Sequence, residues 1–419
     1  MSIVLSSGSS ANAFDATAFH AVPASSHSML LTWDLAVADA DTLVLSRKLG
    51  DRWRVIDSFP AQPTGNYMDE LLWQDTSYSY RLQVLTNGKT IASRTATSRT
   101  FVQEGAFPRF YGPHSFWNQP IPPGAASDPR SDEMIRYSFV AFAREHVERN
   151  GEYFPDANFG ATDAWGVPIA YADPVHSKVY DIACTRYGCD TDVSFRIPRY
   201  AAVTSGSDHR ISVIESTTGR ELDMWAASYD PARDRWTAGS RYITTSGAAG
   251  SGSLCRPGTH CNAAVAAGWA ALGGVVRPEE VAQGHIDHAL ALTTPATRAD
   301  YIACPATHED GNTRWDPERG MYPVPIGARV QLDPDFEVPP SWPDWKREIT
   351  EALQVYGGYV TDTGGSVAVK GESPSVARGY HAWSLAGLPE GADRGLDDLP
   401  WHRMRVLDLA RNRGDGLCR

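Results

Sequence analysis

The sequence predicts a mainly β chain: a small N-terminal β-sandwich followed by a large β-sandwich or jelly-roll domain with a few helices. Three observations predict it. Short runs of alternating apolar and polar residues recur along the chain, separated by Gly, Pro, Asn and Asp turn signals. Only a few windows carry helix start and stop signals. The length, 419 residues, exceeds one ordinary domain and fits two.

Up to about Thr100 the runs include MLLTWDL (29–35), TLVLSRK (42–48), WRVIDSF (53–59) and YSYRLQVLT (78–86), with Asn87-Gly88 as a hairpin turn. A Trp in the second strand and Tyr78-Ser79-Tyr80-Arg81-Leu82 near the sixth fit a sandwich of about seven strands. Residues 1–102 resemble a fibronectin type III domain, with Tyr78 or Tyr80 as its corner tyrosine. The resemblance implies a module that spaces or attaches another domain, at a virion or cell surface, and carries no chemistry of its own. His20 and His27 read as surface residues. Residues 103–109 are the expected linker and 110–419 the second domain.

The second domain opens with a Pro-rich arm, Pro120 to Pro129. Ser131 then caps a helix with Asp132 and Glu133 in its first turn, expected to reach about Asn150 before Gly151. Strand-like runs follow at 178–184, 193–198, 210–215, 220–227 and 241–245. Pro278 with Glu279-Glu280 starts a second helix, which Gly284 ends. HIDHALALT (285–293) and ARVQLD (328–333) read as strands, and WPDWKREITEALQVYGG (342–358) as an amphipathic helix with a glycine stop.

Charge and missing motifs exclude several classes. The net charge of −12 argues against a nucleic-acid partner, because phosphate binding needs clustered Lys and Arg. No run approaches the roughly 20 apolar residues of a membrane span. MSIVLSSGSS lacks the basic start and long apolar run of a secretory signal. Export with the signal removed, or by another route, is the expectation. There is no G-x-x-x-x-G-K-[ST], H-E-x-x-H or G-x-S-x-G, so no cofactor is expected. Six cysteines with two close pairs suit an oxidising compartment. Cys184 with Cys189 and Cys255 with Cys261 are the preferred disulfides, leaving Cys304 for Cys418. A four-cysteine zinc site is the rival, although structural zinc pairs usually sit about two to four residues apart.

SFWNQPIP, GSDHR, RELDMW, GHIDHALAL and YGGYVTDTG occur in that order between about residues 110 and 370. In this order they resemble a largely uncharacterised family of exported actinobacterial and phage proteins associated with polysaccharides. The resemblance implies an extracellular, secreted or virion-associated chain near a polysaccharide partner; it implies no mechanism.

The residues themselves supply candidates. Alternation on a strand places Glu221, Asp223 and Trp225 on one face. E-x-D also begins the signature of laminarinase-type jelly-roll glycosidases, but the third acid those enzymes need is replaced here by Trp225 or Ala226. A partner carboxyl must therefore come from elsewhere, because glycoside hydrolysis needs two. A hairpin through residues 216–219 would set Ser212 opposite Asp223 and Ile214 opposite Glu221, with Asp208 and His209 near Trp225 and Ala226. Asp223 and Asp208 are the expected acid and base or nucleophile, with Glu221 and His209 tuning them. On a strand, His285 and Asp287 face one way and His288 the other, onto the apolar side, where it is a core histidine or a proton shuttle. Trp225, Trp117, Asn118, Arg210, Asp287, His285 and Tyr356 are expected substrate contacts. A metal joining His209, His285, His288 and Asp287 is disfavoured, because His285 and His288 diverge. The expected activity is a glycoside hydrolase acting on an extracellular or cell-surface glycan. The alternatives are a polysaccharide lyase and a non-catalytic glycan-binding or phage tail protein.

Overall fold

The computed structural model describes residues 19–409 apart from 25–27, 36–39, 50, 70–71, 73–75, 101–108, 144–146, 150–151, 155–156, 173–176, 187–192, 199–200, 216–217, 248, 254–263, 375–381, 385 and 390. The chain is mainly β and divides into two compact units, Met1–Gln103 and Glu104–Arg419.

In the first unit, strands Phe19–Pro23, Met29–Asp34 and Thr64–Asp69 form one sheet. Arg52–Pro60, Thr42–Leu49, Ser77–Thr86 and Lys89–Arg99 form the other, in that spatial order. Met29, Leu31 and Trp33 meet Leu43, Leu45, Tyr80, Leu82 and Val84 in one core. Each set repeats with period two, so each strand turns one face inward. Three strands on four around a shared core is the sandwich that the fibronectin resemblance implies. Asn87 and Gly88 both have positive φ, 50° and 73°, as a two-residue hairpin turn requires. Tyr80 is the fully buried tyrosine of the pair, and its hydroxyl donates to Asp69 at 2.7 Å.

Among its described residues the larger unit has three main sheets. Ile169–Ala172, Ile211–Glu215, Arg220–Trp225 and Ser240–Thr245 form the first. Val193–Pro198, Ser177–Cys184, Arg235–Ala238 and Ser228–Asp230 form the second. Ile211, Val213, Leu222 and Met224 from the first meet Tyr180, Ile182, Phe195, Ile197 and Trp236 from the second in a single core, so these two sheets are a sandwich. A mixed six-stranded sheet includes Leu290–Thr294, Gly358–Thr363 and Val367–Val369.

Two helices follow their signals. Pro278–Gln283 ends at Gly284 with φ of 84°, and Asp344–Val355 is amphipathic. The first helix does not reach Asn150. It is α-helical only over Ser131–Ile135 and widens into a π turn over Arg136–Val140. Ser131 is its first residue and not its cap. Tertiary bonds compete with the helical ladder at Ser138: its carbonyl takes the Thr294 hydroxyl, and its own hydroxyl donates to the Ala296 carbonyl. HIDHALALT is a strand only from Leu290. The Ala289 amide instead donates to the Trp117 carbonyl at 2.7 Å, drawing that segment off the sheet. No helix among the described residues is long and apolar enough to cross a membrane.

Cys184 and Cys304 are each disulfide-bonded. Cys189, Cys255, Cys261 and Cys418, with the pairings expected for them, lie outside the described residues, as do His27 and His381.

Candidate functional site

The hairpin register is the one the turn residues imply: Ser212 stands opposite Asp223, and Ile214 opposite Glu221. Leu222 and Met224 enter the sandwich core, so Glu221 and Asp223 project from the other face. That face is covered. Both acids are 0% exposed. The Ser212 hydroxyl donates to Asp223 Oδ1 at 2.6 Å and the Ala271 amide to Oδ2 at 2.8 Å. The Tyr111 hydroxyl donates to Glu221 Oε1 at 3.1 Å. Burial, and then the charge of Asp223, hold the Glu221 carboxyl well above the usual carboxylate range. Burial pushes Asp223 up to about 6, against the opposing pull of Ser212, the Ala271 amide and Arg210. Of the two carboxyls, Glu221 is the one whose charged form is the more strongly disfavoured. The pair is an enclosed proton site, and neither carboxyl reaches a surface where a sugar could lie.

A second cluster lies where the hairpin ends. Arg210 donates through Nε and Nη2 to Asp208 Oδ2, at 3.0 and 2.5 Å, and its Nη1 lies 3.6 Å from Asp362 Oδ2. Lys370 also bonds Asp362, and the Ala266 amide donates to Asp362 Oδ1 at 2.8 Å. Burial would raise Asp362, but Lys370 and Arg210 outweigh it and hold the carboxyl below its usual value. Asp310 accepts from the Thr363 amide at 3.0 Å and from the Thr363 hydroxyl at 2.7 Å. Asp310 is exposed, yet crowding by the surrounding protein, and then the charge of Asp362, raises its pKa. The Asp208 side chain is 31% exposed. Trp225 donates its indole N–H to Asp208 Oδ1 at 3.4 Å and carries Arg186 over its ring at 5.6 Å. His209 is exposed in a left-handed turn, φ 44°, whose carbonyl accepts from the Ala227 amide at 2.9 Å.

His288 is not part of either cluster. It is buried, with Nε2 3.1 Å from Glu280 Oε1 and Nδ1 2.9 Å from the Ala289 carbonyl. Arg277 donates to Glu280 through Nη2 at 2.7 Å and through its backbone amide at 2.8 Å. Burial would raise Glu280, yet Arg277 and His288 bring it down to about 2. His288 is thus a satisfied core histidine, with both ring nitrogens occupied. A cavity of only about 10 Å³ borders it.

Two expected substrate contacts are corrected. Trp117 is 1% exposed and packs edge-on against Trp269 and Tyr359, so no ring face is left for a sugar. Asn118 is 3% exposed and donates to the carbonyls of Phe110, Tyr111 and Gly112, fastening the segment that carries Tyr111. His285, Asp287 and Tyr356 belong to a separate surface group. His285 Nδ1 lies 3.0 Å from Asp287 Oδ2, and Arg109 donates to the Asp287 carbonyl at 2.8 Å. Burial and the charge of Asp287 raise Tyr356. No group of three or more His, Cys, Asp or Glu among the described residues is placed to hold a metal ion.

Asp310, Lys370, Tyr111, Ser212 and Glu280 were not among the expected site residues. Ser212 was findable, since the register already set it opposite Asp223. Glu280 read only as a first-turn helix acid. Asp310 stands in a Glu-Asp-Gly stretch with no periodic signal.

No family model matches the chain, and no curated protein does. Among solved structures, the sixth fibronectin type III domain of human fibronectin type III domain containing protein 3 is 17% identical over 23% of this chain and 96% of that one, with TM-score 0.18. The fn3 domain of human collagen alpha-1(XX) chain is 20% identical over 24% and 94%, with TM-score 0.18. A beta-1,2-glucanase from Parabacteroides distasonis is 11% identical over 32% of this chain and 17% of that one, with TM-score 0.19. At these scores none of the likenesses bears on what the larger unit does.

Proposed function

We propose that the larger unit is a glycoside hydrolase acting on an extracellular or cell-surface polysaccharide, with Asp208 and Asp310 as its reacting carboxyls. One observation carries the reading. These two acids adjoin the same Arg210–Asp362–Lys370 network in opposite environments: Asp208 accepts a two-pronged guanidinium, while Asp310 feels the charge of Asp362. Glycoside hydrolysis needs two carboxyls flanking the scissile bond, one to give a proton to the leaving oxygen and one to act as nucleophile or base. Asp310 would give its proton to the leaving oxygen. Asp208 would attack the anomeric carbon or activate water, and Trp225 would offer a ring face to the sugar. Asp223 and Glu221 act from beneath as positioning residues, with Asp223 in electrostatic contact with Arg210. The motif order shared with exported polysaccharide-associated proteins supports an extracellular setting.

The test is digestion of a panel of bacterial-surface and plant polysaccharides by wild type, Asp208→Asn and Asp310→Asn. Reducing ends from wild type, with about a hundredfold or greater loss in each variant, are expected. Equal turnover by all three proteins would remove both aspartates from the reaction. Unsaturated product in place of new reducing ends alone would transfer the site to a lyase.

A further inference from the structure

Of the described tryptophans, Trp165 alone is strongly exposed, at 45%. Its indole meets no other aromatic ring and no cation among the described residues. Single exposed apolar side chains are ordinary on a protein surface, so exposure by itself assigns nothing. Trp165 is set apart by what its turn is fastened to.

The turn is closed on itself: the Gly166 amide donates to the Thr162 carbonyl at 2.9 Å and the Trp165 amide to the Thr162 hydroxyl at 3.2 Å. On one side the Ser205 amide donates to the Asp163 carbonyl at 3.0 Å, three residues before Asp208. Gly206 then lies so close that a Cβ there would come 2.4 Å from the Ala164 carbonyl oxygen and 3.2 Å from Trp165 Cζ3. Glycine permits that approach because it has no Cβ. On the other side the Val167 amide donates to the Gly371 carbonyl at 2.9 Å, one residue after Lys370. The indole thus stands on a turn bonded to two of the segments that supply the Asp208, Arg210, Asp362 and Lys370 cluster. Two residues of chain span at most about 7 Å, so Gly206, beside the ring edge, is within one or two sugar units of Asp208.

We infer that Trp165 is a stacking platform for a pyranose unit of a neutral polysaccharide, beside the reacting carboxyls. A pyranose presents C–H bonds on its ring faces, and these pack on the flat, electron-rich face of an indole. Nothing at the platform pairs with a uronate or a sulfate. In the adjoining cluster Arg210 and Lys370 are both bonded to carboxylates. Asp208, Asp310 and Asp362 formally match Arg210, Lys370 and the Arg186 that lies over Trp225. The cluster therefore offers a polyanion no surplus of positive charge, in a chain whose net charge is −12. Trp165 selects which glycan is held and takes no part in bond breaking. The inference deepens the hydrolase reading by naming its substrate class, and it rests on that reading's choice of a polysaccharide.

Affinity electrophoresis tests it without requiring turnover. The full chain would be run through gels containing laminarin, galactomannan or dextran, with levan as a furanose polymer and polygalacturonate as an acidic one. Wild type should be retarded by at least one of the first three and by neither of the others. Trp165→Ala should weaken that retardation about tenfold, and Trp165→Phe should keep most of it. Both variants should melt within about 2 °C of wild type, since the side chain is exposed. On a polymer that is cleaved, Trp165→Ala should raise KM about tenfold with kcat little changed. Absence of retardation, equal retardation by neutral and acidic polymers, or a Trp165→Ala chain retarded as wild type is would overturn the inference. A lowered melting temperature, or a fall in kcat at constant KM, would make Trp165 a structural residue instead. Reducing-end release, measured separately, distinguishes the two failures. Release without Trp165-dependent retardation removes only the platform, and Trp165-dependent retardation without release removes only the hydrolase reading.

Discussion

At the residue scale, the molecule's most acidic-looking feature is a shielded pair with a definite pH signature. Asp223 is raised from its ordinary value to about 6 in the folded chain. The folded state therefore binds more protons than the unfolded state between about pH 4 and 6. The stability from Asp223's retained proton is fully present below its unfolded pKa and is lost as pH rises through 6. The loss should be on the order of 3 kcal/mol. Asp223→Asn should flatten that part of a stability-against-pH curve measured by urea unfolding, whereas an unchanged slope would mean that the carboxyl titrates normally. Glu221→Gln should fold with a change of about 1 kcal/mol or less, since the amide copies a protonated acid. Glu221→Ala should cost more, because the Tyr111 hydroxyl loses its acceptor. The sequence showed that the two acids share a face. It did not show that the face was covered, because Tyr111 and Ala271 arrive from segments 110 and 48 positions away from their partners.

At the element scale, local chemistry was legible wherever it was not overruled from a distance. The 210–227 hairpin took its predicted register because a slip of one residue would withdraw Leu222 and Met224 from the sandwich core and turn Glu221 and Asp223 into it. Ser212→Ala should then cost about 1–3 kcal/mol, by leaving a buried Asp223 oxygen unserved, and equilibrium unfolding would measure it. The helix before Gly284 stops where the glycine predicts. Nothing lies within 4 Å of where a Cβ would be added at Gly284, so the cost of Gly284→Ala is conformational alone. It should be about 1 kcal/mol, read as a lowered melting temperature. The helix beginning at Ser131 failed its prediction because Thr294 and Ala296 bond Ser138, and no window of sequence around residue 138 contains them.

At the scale of the whole molecule, the mainly β character and the two-sheet N-terminal unit were legible because alternation is a local signal repeated many times. The candidate site was legible only in part. Asp208, Arg210 and Trp225 came from one hairpin, whereas Asp310, Asp362 and Lys370 come from segments about a hundred or more positions later. Each unit encloses its own core. Calorimetry should therefore resolve two transitions, and a fragment of residues 1–103 should melt cooperatively by itself. A single merged transition for the full chain, with a fragment that shows none, would contradict that independence.

The enclosed Glu221–Asp223 pair also has a kinetic consequence. A proton held under Tyr111 and Ala271 has no path to bulk water until the covering segments part. After a sudden pH jump its titration should lag behind that of the exposed carboxyls as a class by the time such an opening takes. An infrared carboxyl band followed through the jump would then record how often the layers breathe, with the strand serving as the molecule's own clock.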